Sequence, residues 1–286
     1  MAKLRINGDS SGYVDLEAPN AASSSTLDLD QVPQKNATTT AFTGSHVIIG
    51  DTTIGNAHPN GDDLVIGNTS SGKRTGLTIV SANDQDGAII WSDGTSSGNA
   101  NIQGQLVYNH PDNSMRFYTA VSEGMRISGD GYVTKPKQPG FQFWNNGSDF
   151  AISAGGKVTC FYAGDHNIGS HFDSSNQRFT APVSGYYLFG GHLRIGAPGK
   201  IRVARFQIYL NGSRLRDLMS VGGTNDYDGS TGYDHPGASG TAVQYLSTGD
   251  YVEMYVDSEL SSSNTVYIQG GSNNNRKSYW FGHLIS

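Results

Sequence analysis

The sequence predicts an all-β chain whose C-terminal half is a jelly-roll β-sandwich, preceded by a β-rich, intertwined shaft. Three observations carry this. The run GYYLFGGHLRI (185–195) places Tyr187, Phe189, Leu193 and Ile195 on one side and Tyr186, Leu188, His192 and Arg194 on the other. That is the period of two of a strand with one buried face. Short apolar runs bounded by Gly, Asn and Asp recur from residue 46 to the end, and none is long enough for a helix. The composition is turn-dense, with 38 Gly and only 15% charged residues, where soluble domains carry about 25%. Low charge does not imply disorder here, because 15 Tyr, 11 Phe and 3 Trp give ample material to bury.

Residues 1–45 are expected to be a virion-attachment or leader segment. GYVDLEAP (12–19) and STLDLDQVP (25–33) each alternate, through Val14 and Leu16 and through Leu27 and Leu29, but the segment holds too few large apolar groups for a core. Residues 46–137 read as the shaft. HVIIGD, DLVIGN, GLTIVS, GAIIWSDG, GQLVYNH, SMRFYTA and GMRISGDGYV follow one another there as strands. VIIGD (47–51) returns as LVIGN (64–68), which points to repeated strand units. Units this small bury too little to offset about 1–2 kcal/mol of backbone entropy per residue, so several chains are expected to share one core.

KPKQPG (135–140) reads as a linker, and the head occupies 138–286. Its aromatic density rises, and VTCFYA, RFTAP, GYYLFGGHLRI, IRVARFQIYLN, TAVQYLS, DYVEMYVDS, TVYIQG and SYWFGHLI follow as strands. In IRVARFQIYL, Ile201 and Val203 share a phase that slips at Ala204–Arg205, which predicts a bulge. In DYVEMYVD, Val252, Met254 and Val256 form the core face, leaving Tyr251, Glu253 and Tyr255 pointing away.

The formal charge of −6 and the absence of a basic run argue against a nucleic-acid partner. No run approaches the roughly 18 apolar residues of a membrane span, so no membrane insertion is expected. MAKLRINGDSSG lacks the apolar core of a signal peptide, so synthesis in a cytosol and exit by a route such as cell lysis are expected. Cys160 is alone and forms no intrachain disulfide.

Two resemblances add to this reading. GAIIWSDGTSSGNANIQGQLVYNHPDNSMRFYTAVSEGMRISGDGYV (87–133) resembles a segment of bacteriophage tail fibres and related virion proteins. Its Asp93-Gly94 turn is followed by the Tyr108-Asn109-His110, Met115-Arg116-Phe117 and Met125-Arg126-Ile127 strands of that pattern. GYVDLEAPNAASSSTLDLDQVP (12–33) is similar to leaders of such fibres. Further on, the spacing of Phe161, Asn167, Phe172, Phe179, Gly185, Tyr187 and Phe189 resembles the signature of C1q-type globular heads, relatives of tumour necrosis factor. RFTAPVSGYYLF, LSTGDYV (246–252) and SYWFGHLI (278–285) match its elements, while Gly191 stands where an aromatic is expected. The resemblance implies a trimeric jelly roll. Tyr251 and Tyr255 are accordingly expected against neighbouring subunits near a threefold axis.

Candidate contacts lie on loops. NDYDGSTGYDHPG (225–237) gathers Asp226, Tyr227, Asp228, Tyr233 and Asp234 as a receptor-contact loop, its carboxylates also suiting Ca²⁺. Arg276 and Lys277 could meet an anionic glycan. Asp165, His166, His171 and Asp173 lie close in sequence, but their spacing is not that of a metal site, and no cofactor is expected. Asp84, Asp86 and Asp93 sit in shaft turns, where paired carboxylates can hydrolyse glycosides if held about 5–9 Å apart. Turn formation is their commoner use. No Gly-x-Ser-x-Gly elbow, phosphate loop or zinc motif appears, so no enzyme is expected.

The resulting expectation is a phage tail-fibre, receptor-binding homotrimer, a virion component held by its N-terminus to other tail or virion proteins. It would attach through its head to a host surface glycan or protein. The alternatives are a shaft-borne glycan depolymerase and a C1q-like decoration or adhesion protein of another particle.

Overall fold

The structure, a computed structural model, describes residues 3–7, 13–17, 47–50, 64–67, 74, 76–94, 98–196, 201–222, 236–260, 265–272 and 274–286. The chain divides into two compact units, Met1–Thr78 and Ile79–Ser286. In the first, β1 (Lys3–Asn7) and β2 (Tyr13–Glu17) pair antiparallel. β3 (Val47–Gly50) and β4 (Leu64–Gly67) pair in parallel, Val47 opposite Leu64 and Gly50 opposite Gly67. The internal repeat therefore stacks on itself in register, as repeated strand units do.

The second unit opens with an antiparallel meander of β5 (Asp86–Trp91), β6 (Gly104–Asn109), β7 (Ser114–Thr119), β8 (Ser122–Ile127) and β9 (Val133–Thr134). GLTIVS (76–81) does not form the expected strand. No described strand pairs with it, and Leu77, Ile79 and Val80 are exposed.

The head is a two-sheet sandwich. One sheet contains β10 (Gly140–Trp144), β11 (Phe150–Ser153), β12 (Ala163–Ile168), β15 (Gly185–Gly196), β18 (Gly237–Leu246), β20 (Thr265–Ile268) and β21 (Tyr279–Leu284). The other has the order β13 (Phe172–Asp173), β14 (Arg178–Thr180), β19 (Tyr251–Leu260), β16 (Ile201–Leu210), β17 (Ser213–Gly222). The chain passes repeatedly from one sheet to the other, the jelly-roll connectivity that the strand pattern predicts. β15 is the spine: it pairs with β18 along one edge and with β21 and β20 along the other. Its Tyr187, Phe189, Leu193 and Ile195 are fully buried, as their alternation requires.

Between the sheets lies an aromatic stack. Phe141 stacks on Phe172 at 4.6 Å and on Phe179 at 5.2 Å, and meets the edge of Trp280 at 5.0 Å. Glycines admit this crowding at two places. A Cβ on Gly282 would stand 2.6 Å from Phe141 and 2.8 Å from Phe189. A Cβ on Gly191 would stand 2.5 Å from the Tyr279 carbonyl oxygen, which explains why no aromatic occupies that position.

The signature spacing also acquires a cause. The Asn167 amide donates to the Phe172 carbonyl at 2.8 Å and accepts from the Phe172 N–H at 3.0 Å. It thereby closes the turn through Gly169 and Ser170, whose φ values are 75° and 58°. VTCFYA (158–163) is not a strand, in contrast to its apolar reading; the strand starts at Ala163. Phe161 instead exchanges two hydrogen bonds with the buried Gln177 amide, at 2.9 and 3.1 Å, a side chain standing in for a strand partner. The bulge expected at Ala204–Arg205 falls elsewhere. Register shifts lie between Ile201 and Val203 towards β19, and after Phe206 and Ile208 towards β17. Val203 thus leaves the core, and Ala204 enters it beside Phe206 and Ile208.

Gly282→Val should destabilise the head by roughly 1–3 kcal/mol, because its methyls must displace two packed rings. Urea or thermal unfolding reads this. Gly94→Ala, with open space around its Cβ, should be near neutral in the same assay.

Candidate functional site: two outward sheet faces

Each sheet of the sandwich turns a second face outward, and the two faces differ. On β19, Val252, Met254 and Val256 are fully buried, and Tyr251, Glu253 and Tyr255 take the outward side, as the alternation predicts. Glu253 nevertheless has only 3% of its surface exposed, because its neighbours close over it. Lys157 Nζ lies 2.6 Å from Glu253 Oε1, and Arg178 Nη2 lies 2.8 Å from the same oxygen. Arg178 also lies over the Tyr251 ring at 3.7 Å, and Tyr255 stacks on Tyr209 of β16 at 3.9 Å. Tyr251 and Tyr255 are half-buried by these contacts within the chain.

The electrostatics follow. Burial pushes the Glu253 carboxyl up, but the hydrogen bonds and charges of Lys157 and Arg178 outweigh it and hold the group below the usual carboxylate range. Burial, then the Glu253 charge, raises the Tyr255 phenol. This face is a closed ionic and aromatic network.

The outward face of the seven-stranded sheet is different. Tyr186 of β15 lies opposite Tyr245 of β18 with ring centroids 5.3 Å apart, and Leu188 lies opposite Val243. Tyr186, Val243 and Tyr245 are each about half exposed. Leu188 continues across to His283 of β21, whose ring stacks on His166 of β12 at 5.1 Å. Burial and the neighbouring His166 lower the His283 pKa. The cause of the apolar patch lies in β18. Its small residues Ala238, Gly240 and Ala242 face inward, and its large ones, Val243 and Tyr245, face outward. Inside, a Cβ on Gly240 would overlap the Leu218 carbonyl oxygen, so nothing larger fits.

Other candidates are dispersed. Asp165 pairs with Arg276, whose guanidinium lies 4.0 Å over the Trp144 ring. Arg276 is thus anchored within the chain, while Lys277 beside it is half-buried. Asp173 accepts from the Asn176 side-chain amide and from the backbone N–H groups of Asn176 and Ser175 in a local turn, which lowers its pKa. Among the described residues no group of three or more His, Cys, Asp or Glu is placed to hold a metal ion. In the 86–134 sheet, Asp86 accepts from Asn109 across β5 and β6 at 2.6 Å. Asp93 lies past the other end of β5, about 20 Å away at the rise of an extended strand. That separation is too wide for a glycosidase pair. Asp226, Tyr227, Asp228, Tyr233 and Asp234 lie outside the described residues. Cys160 is buried, and its thiol is pushed up to about 12.

No protein-family model matches the chain. The uncharacterized protein YqcC of Bacillus subtilis (strain 168) is 26% identical over 235 residues, which cover 77% of this chain. The chain spans 58% of that relative's length. Similar solved structures include the globular domain of zebrafish complement 1qA protein, 19% identical with a TM-score of 0.36, over 52% of this chain and 98% of that one. The Eiger TNF structure from S. frugiperda is 12% identical with a TM-score of 0.40, over 52% of this chain and 94% of that one.

Replacing Glu253 with Gln leaves Lys157 and Arg178 without their counter-charge. Both partners keep contact with water, so the loss should be about 1–3 kcal/mol at pH 7, below the roughly 3–5 of a fully buried pair. Because the folded pKa is lowered, this stabilisation is complete above the unfolded value of about 4.3 and drains away as pH falls through the lower folded value. Urea unfolding of both proteins between pH 7 and pH 3 should show their difference shrinking with acidity.

Proposed function

We propose that the chain is a receptor-binding subunit of a phage tail fibre that works as a homotrimer and attaches the particle to a host cell surface. The observation that carries this is the outward face of the seven-stranded sheet. Tyr186, Leu188, Val243 and Tyr245 form one continuous apolar and aromatic patch that no described part of the chain covers. Contiguous exposed apolar surface of this kind marks contact with another macromolecule. The aromatic strand face suits packing between copies better than glycan capture, because Tyr186, Leu188, Val243 and Tyr245 bring no carboxylate or amide to meet sugar hydroxyls. Tyr251 and Tyr255, covered by Arg178 and Tyr209, offer a neighbouring copy a smaller apolar target.

In this reading each copy offers the same contact segment, 225–237, to a host glycan or protein. Weak contacts multiply: joined sites exceed single-site affinity by about 10²–10⁴-fold when geometry lets them engage together. The likeness of 87–133 to fibre segments supports a place on a phage particle, with the N-terminal segment held by other virion proteins. A decoration or adhesion protein of another particle would use the same patch, and immunogold labelling of virions separates the two. A depolymerase would release reducing ends from purified host polysaccharide; this account expects none.

The test is competition for attachment. Purified full-length protein should block adsorption of the phage to host cells. Val243→Lys combined with Tyr245→Lys should weaken cell binding by roughly 10²-fold through lost multivalency. Unchanged binding by that double variant, folded by circular dichroism, would contradict the reading.

A further inference from the structure

The sheet of β5–β9 has one finished face and one unfinished face. On the finished side, Arg116 pairs with Asp112 at 2.6 Å and Arg126 with Glu123 at 2.8 Å. These side chains lie over the strands near Val107, the buried apolar residue of this sheet. The other side presents Ile89 and Trp91 of β5, Leu106 and Tyr108 of β6, Met115 and Phe117 of β7, and Met125 and Ile127 of β8. None of these eight is buried by the described residues. A shallow groove of about 220 Å³ runs over Ile89, Leu106, Tyr108 and Met115, with Ile79 at its rim.

We propose that this face is the core of a shaft formed with the same face of other copies of this chain. Charge decides the occupant. No Asp, Glu, Lys or Arg of the five strands lies on this side. A glycan, a nucleic acid or a charged partner would leave its polar groups desolvated and unpaired there. A surface equally free of charge covers it at no such cost, and each copy brings one. A sheet with one apolar face also has to bury it against another element. The connection adds a second reason. β9 ends at Thr134 and the head begins with β10 at Gly140, so heads held together keep these sheets at high local concentration. The inference rests on the reading that copies associate, and it names where the 86–134 sheets meet.

The chain carries its own reporter. Trp91 is 58% exposed in the single chain, whereas Trp144 and Trp280 are at 5% and 0%. Iodide quenching of tryptophan fluorescence in the full-length protein therefore reads Trp91, and light scattering on the same samples reads molar mass. Ile89→Lys places a charge on the proposed face at a position 41% exposed, and Ile90→Lys places one on the opposite face at 49%. The expected result is a multimer with Trp91 shielded, several-fold less quenched than in dilute monomer. Ile89→Lys should restore quenching, and Ile90→Lys should leave it unchanged. A multimer whose Trp91 is quenched as in free chain overturns this inference, with association through the head left intact. Equal effects of the two lysines overturn it as well. A monomer at every concentration overturns both this inference and the association it rests on.

Discussion

A β-sheet has two faces, and among the described residues the five-stranded sheet of the head is the one most nearly closed on both. The inward faces of the head close on a shared aromatic stack of Phe141, Phe172, Phe179 and Trp280. The outward face of the five-stranded sheet closes by charge and ring contact around Glu253. The β15–β18 part of the outward side of the seven-stranded sheet, at Tyr186, Val243 and Tyr245, and one side of the 86–134 sheet are left open by the described residues. Each uncovered Å² of apolar surface forgoes about 25 cal/mol. Covering these faces is a stabilisation still open to the described residues, and association between copies is the proposed way to reach it.

Much of the fold was legible because β-structure writes its burial into alternate residues. The alternation of β15 and of β19 locates the core faces, and the repeat at 47–51 and 64–68 points to repeated strand units, which the structure pairs in register. The misreadings share a cause: an apolar run shows that residues are buried, not what their backbones bond to. Val158, Cys160 and Phe161 are buried, yet Phe161 bonds to the side chain of Gln177. The phase slip in β16 was read two residues late because Ala204 is small and Val203 large, while the register shift moves the smaller residue inward.

The site was less legible. The outward placement of Tyr251, Glu253 and Tyr255 follows from period two, but the covers do not. Lys157 and Arg178 reach Glu253 from far along the chain, and no local pattern announces an ion pair across such a separation. The same holds for Arg276 with Asp165 and Trp144, which ties an exposed candidate contact to its own chain. The patch at Tyr186, Val243 and Tyr245 did leave a trace. In GASGTAVQYL the first three inward positions are Ala238, Gly240 and Ala242, while Val243 and Tyr245 stand on the outward phase, an inversion over that stretch that marks a strand whose bulky residues face outward. Pattern reading that assigns large residues to the core passes over it.

The account rests on copies of the chain completing each other's apolar faces. Native mass spectrometry of the full-length protein at micromolar concentration tests this most directly. A species of three times the 30.5 kDa chain mass is the predicted result. A single species of 30.5 kDa throughout the concentration series would contradict the account.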